Sequence, residues 1–264
     1  MFEELKSVGE SLPNLVDSID IFGKWAIDYV NRDISSRDGR DVDVLVFTNG
    51  PAFFTSNIVF EKLAEKLSPM PPKYEPSIYN LNELFKYPLC HLRQDTMRKH
   101  LEQFCVKIYG NITKDDFKKD KDTWKYVSEK TGIGADKLTD ASHAIRTTRK
   151  DFYQILRKYK TTNDVESEDC ELMANQAIRF LRISVDMATD VELGQHADDK
   201  SVMDAYLKTF PYKTIDKKIT DKLADVRFSK LSEKESLEVV KSYKFLLERA
   251  AQITEDYIER KLGD

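Results

Sequence analysis

Near residue 114 the hydrophobic period of this chain changes. Upstream, short runs in which apolar and polar residues alternate are separated by stretches with helical spacing. Downstream, apolar residues recur only every three or four positions. A strand repeats every two residues and a helix every 3.6, so one segment cannot satisfy both patterns. The predicted fold class is therefore α+β. A small mixed-sheet domain over residues 1–112 is followed by an all-α helical bundle over 113–264.

Within the first part, residues 2–10 read as a helix that Pro13 ends, 15–22 as a strand running into Gly23, and 24–31 as a helix. The polar run 32–40 reads as a loop. The clearest strand is DVDVLVF at 41–47, apolar and rich in β-branched residues. Residues 54–67 have amphipathic helical spacing, and prolines in 68–72 must stop that helix. A further strand is expected at 74–81, then a helix from Pro88 through 104, and a last strand at 105–110. The charged stretch KDDFKKDKD (114–122) reads as an exposed linker. Beyond it, long apolar stripes predict helices over 136–160, 168–192 and 232–262, with shorter ones at 200–208 and 214–225. Ser232, three residues before Glu235, has the spacing of a capping box.

The composition narrows the function. Of 264 residues, 41% are hydrophobic and 33% charged, and the net charge of −4 is a poor match for a general nucleic-acid binder. The three cysteines lack metal-ligand spacing and are odd in number, which predicts a reducing, cytoplasmic setting. The leading residues lack the layout of a signal peptide. No apolar run reaches the ~18 residues that a membrane span needs. A soluble protein without a membrane partner is expected.

The chemistry concentrates on Asp41 and Asp43. Being two apart on a strand, they project from one face. Two carboxylates so close repel unless a cation lies between them, and Mg²⁺, which prefers oxygen ligands, suits them. Gly23, between a strand and a helix, would let backbone N–H groups approach a phosphate at the helix N-terminus.

The sequence DSIDIFGKWA (17–26), then DVDVLVF (41–47), then SIYNLNEL (77–84), followed by a helix and the strand CVKIYG, resembles the polymerase-β-like nucleotidyltransferase superfamily. In that superfamily a strand ends in Gly-Ser before a short helix, the next strand carries Asp-x-Asp, and a third strand adds another carboxylate. An all-helical C-terminal partner is similar to that of kanamycin nucleotidyltransferase and of HEPN-type modules. The resemblance implies that Asp41 and Asp43 bind Mg²⁺ and act in catalysis with Glu75, the in-phase acid before Ser77. It implies that Gly23 and Lys24 contact a nucleoside triphosphate, with Lys24 standing where the family has serine. The expected activity is transfer of a nucleotidyl group to an unknown acceptor, which is a small molecule, a protein or RNA. The alternative is a degenerate member acting as a regulatory or binding module of a toxin–antitoxin or defence pair.

In the helical part, none of the arginines precedes a histidine at the spacing of RNA-cutting HEPN domains. Asp186, Asp190 and Glu171 are candidates for a general base, against the plainer reading of a solvated acidic face. The four histidines have no ligand spacing. The apolar seam on the last helix suits packing within the bundle or a homodimer through it.

Overall fold

In the computed structural model the strand run at 41–47 becomes β2, Val42–Thr48, and six of its seven residues are buried. Residues Val42, Val44 and Val46 cover one face, and Leu45 and Phe47 the other, so both sides of this strand are packed. The described residues are 2–31, 41–49, 57–68, 74–85, 88–113, 116–117, 124–189, 193, 197–210 and 233–263. The expected loop 32–40, the expected helix 214–225, Asp190 and the cap at Ser232 lie outside them.

Strand β1 is Val16–Ile21, β3 is Tyr74–Asn80 and β4 is Val106–Gly110, and the sheet runs in the order β3-β2-β1-β4. Strand β1 lies antiparallel to both β2 and β4, while β2 and β3 are parallel. A parallel pair needs a crossover. Helix α3, Asn57–Leu67, lies in that connection and buries Val59, Phe60, Leu63, Ala64 and Leu67. Pro76 lacks an N–H for the ladder, and it is accommodated because β3 is at the sheet edge.

Helices α1 (Glu3–Ser11), α2 (Gly23–Val30), α4 (Leu81–Phe85) and α5 (Asp95–Phe104) complete this part. Leu45, Phe47 and Tyr79 pack with Phe22, Leu92, Leu101 and Cys105. Each large side chain removed from water contributes about 1.5–3 kcal/mol.

The chain divides into two compact units, Met1–Trp124 and Lys125–Asp264. The division falls beyond residue 112: Phe117 belongs to the sheet core, and its ring lies 6.3 Å from that of Phe47. The linker reading of 114–122 is corrected at Phe117, which is 2% exposed. The charges around it hid one apolar anchor. The single helix expected from Pro88 is also corrected: a 3₁₀ turn, His91–Arg93, precedes α5, and Gln94 breaks the two with an extended ψ of 132°.

The second unit contains α6 (Trp124–Thr131, whose first residue closes the first unit), α7 (Ala135–Thr162), α8 (Ser167–Thr189), α9 (Asp199–Thr209) and α10 (Glu233–Gly263). Helix α8 packs against α7, α9 and α10. Helix α7 ends on Asn163, which takes the left-handed conformation at φ 56°, a position that suits asparagine. Asp198 caps α9 by accepting the Ser201 N–H at 2.9 Å. No helix among the described residues is long and apolar enough to cross a membrane.

Candidate active site

The expected site residues gather where β1 turns into α2. Phe22 has an extended backbone and donates its N–H to the Asp43 carbonyl at 3.1 Å. Gly23 then takes φ +70°, a left-handed conformation that costs side-chain-bearing residues free energy. A Cβ on Gly23 would run into the Asp43 carboxylate oxygen. Glycine is thus required here twice, by conformation and by space.

Asp43 is half-buried and Asp41 is exposed just before β2. In the parallel pairing Asp43 stands directly beside Glu75, so their side chains leave the same face. The structure therefore brings Asp43, Glu75 and Gly23 into one neighbourhood, while Asp41, expected on the strand with Asp43, precedes β2. Lys24 is exposed in the first turn of α2.

Two residues of this neighbourhood escaped the sequence reading. His100, on α5, accepts the Gly23 N–H on Nε2 at 3.2 Å. That bond needs a neutral ring with its proton on Nδ1. Burial lowers the imidazole pKa, and the nearby Asp43 charge works against that shift. The ring also lies 5.4 Å from that of Phe104. No sequence signal marked His100, because its partner is 77 residues away.

Asp20 is the second. It is paired with Leu45 across the antiparallel ladder, so it shares a sheet face with Asp43 and Glu75. It is 2% exposed. Burial raises its pKa to about 7, against the opposing charge of Lys107, whose Nζ is 3.7 Å away, and the Ser18 hydroxyl at 3.2 Å. A signal existed here: Ile19 and Ile21 fill one face of β1, so Ser18 and Asp20 fall on the other by the two-residue period.

Sharing a face does not bring these acids into a ligand cluster. Among the described residues, no three or more His, Cys, Asp or Glu side chains gather so as to hold a metal ion. Mg²⁺ seldom requires such a cage. It retains several waters and binds through one or two carboxylates plus substrate phosphates, so the Asp41 and Asp43 carboxylates suit it as a donor set.

In the helical unit, Asp186 does not stand as an open base. Its Oδ1 accepts the Leu193 N–H at 2.9 Å, and its carbonyl accepts from Lys137 at 3.0 Å. Glu171 is exposed on α8.

No protein-family model matches the chain, and no curated protein matches it.

Proposed function

We propose that the sheet unit is a nucleotidyltransferase, holding Mg²⁺ and a nucleoside triphosphate at Asp41 and Asp43. The acceptor hydroxyl oxygen would form a bond to the α-phosphorus and lose its proton to solvent, and pyrophosphate would leave with the electron pair of the broken phosphorus–oxygen bond. When bound, the cation supplies charge neutralisation to the phosphate oxygens. Asp41 and Asp43 would hold that cation, and Glu75, beside Asp43 on the next strand, adds a carboxylate to the same face. Lys24 offers a positive point charge at the start of α2. The observation that carries the proposal is the Gly23 turn, bare of side chain and seated directly on the Asp43 carboxylate. It leaves backbone at the place where a phosphate would approach.

One observation favours a second reading, a catalytically degenerate regulatory or binding module. The Gly23 N–H, the amide best placed for a phosphate, is bonded to His100.

The test is thermal unfolding with Mg²⁺ and each nucleoside triphosphate in turn. A nucleotide at 100 times its dissociation constant adds about 2.7 kcal/mol of stability. That shift should vanish in Asp41→Asn/Asp43→Asn. Absence of a shift with every nucleotide overturns the transferase and leaves the degenerate module. A shift without pyrophosphate release, across a panel of hydroxyl acceptors, favours the module.

A further inference from the structure

The helical unit contains a surface-open cavity of about 590 Å³, within the size range of small-molecule sites. Thr189 at the end of α8, Thr209 and Phe210 at the end of α9, and Tyr257, Arg260 and Lys261 on α10 line it.

Three kinds of chemistry meet there. Phe210 and Tyr257 form an edge-to-face pair with centroids 6.1 Å apart, so the wall presents aromatic surface. Arg260 and Lys261 supply two exposed cations. The Arg260 Nε–H donates to the Asp256 carbonyl of its own helix at 3.1 Å, and Lys261 Nζ lies 5.3 Å from the centre of the Tyr257 ring. Among the described residues neither has a carboxylate within 4.0 Å. Finally, α8 and α9 both end at this cavity, and the last carbonyls of a helix have no partner within it. The Tyr257 hydroxyl already donates to one of them, the Ala188 carbonyl, at 3.3 Å.

These features select against simple ligands. A hydrocarbon would leave the cations and the carbonyls unanswered. A bare anion would answer the cations but face the negative ends of two helices. A ligand that answers all three needs a flat ring, N–H donors on that ring and an anionic group.

We propose that this cavity binds a nucleoside monophosphate with an amino-bearing base. The base lies against Phe210 and Tyr257, its N–H groups donate to helix-end carbonyls, and the phosphate meets Arg260 and Lys261. The lining residues all belong to the helical unit, and the proposal does not depend on the role proposed for the sheet carboxylates.

The test is calorimetric titration of the full chain with AMP in EDTA, which removes the divalent cation that the sheet site requires. Wild type and Asp43→Asn should bind AMP equally. Arg260→Ala/Lys261→Ala should bind at least tenfold more weakly, roughly the loss of 1.4 kcal/mol in a charge-assisted contact. Both positions are exposed, so this variant keeps its fold, and circular dichroism checks that. Phenyl phosphate, which lacks the N–H donors, and adenosine, which lacks the anion, should each bind more weakly than AMP. The proposal is overturned if AMP does not bind wild type, if the double variant binds as tightly as wild type, or if Asp43→Asn alone abolishes binding. The first two results would leave Arg260 and Lys261 as ordinary cations in the last turn of a helix.

Discussion

The backbone of Gly23 lies against the carboxylate of Asp43, at a left-handed turn where no Cβ fits. This contact joins the end of β1 to the start of β2, and the hydrogen bond from the Phe22 N–H to the Asp43 carbonyl reinforces it.

Gly23→Ala therefore meets two penalties, a strained φ and a collision with Asp43. The expected cost is about 1–2 kcal/mol from the conformation alone, with the collision adding to it. Urea denaturation should show a lower midpoint than wild type. A midpoint unchanged within error would mean that the turn has room to relax.

His100 should matter in a pH-dependent way. Its pKa is lowered by burial, so below the ordinary histidine range the unfolded chain takes up the proton more readily than the folded one. The stability it contributes is present above pH ~6.5 and is lost as pH falls through its folded pKa. His100→Ala should cost about 1 kcal/mol at pH 8 through the lost bond to Gly23. It should also flatten the acid side of the stability profile, which chemical denaturation between pH 5 and 8 would measure.

Asp20 behaves in the opposite sense. Its folded pKa is raised to about 7, so the folded chain retains a proton that the unfolded chain releases near pH 4. Stability from this group is complete below that point and declines as pH rises towards 7. Asp20→Asn keeps a neutral acceptor for the Ser18 hydroxyl and removes the titration. Relative to wild type, the variant should gain stability between pH 5 and 8, by roughly 1.4 kcal/mol for each unit of the shift as an upper bound. A constant difference across that range would contradict the burial of the carboxylate.

In the helical unit, Arg149 holds Glu248 through two hydrogen bonds of 2.7 Å, from Nε to Oε1 and from Nη2 to Oε2, and Lys244 Nζ lies 3.5 Å from the same carboxylate. Glu248 and Lys244 are fully buried and Arg149 nearly so. Burial works to raise the Glu248 pKa, but Arg149 and Lys244 outweigh it and hold it below the usual range. Glu248→Gln removes the carboxylate charge that both buried cations contact. The expected loss is about 3–5 kcal/mol in a denaturation measurement. Joint replacement, Arg149→Met/Lys244→Met/Glu248→Leu, should recover much of that loss because the carboxylate and the two cations that contact it are removed together.

Much of this architecture was legible because its causes are local. The alternation in DVDVLVF marked β2, the three- and four-residue stripes marked α3, α7 and α8, and Gly23 before an amphipathic run marked the entry to α2. The two-residue period marked the phase of Asp43 within β2 and of Glu75 within β3, and only the parallel register set the two on one face side by side. Where a local pattern was diluted, the reading failed. Phe117, alone among lysines and aspartates, gave no period, and the 3₁₀ turn at His91–Arg93 interrupts spacing that looks helical throughout.

Hydrophobic period and turn chemistry depend on neighbours a few residues away, and the sequence by itself determined the strands, the helices and the change of class near residue 114. Only the tertiary structure decided that His100 reaches Gly23, that Asp20 is sealed beside Lys107, that Phe117 enters the sheet core and that Arg149 meets Glu248. In each case the contact joins groups remote along the chain, through packing for Phe117 and through hydrogen bonds or opposite charge for the others, and such an encounter leaves no periodic trace in the order of the residues.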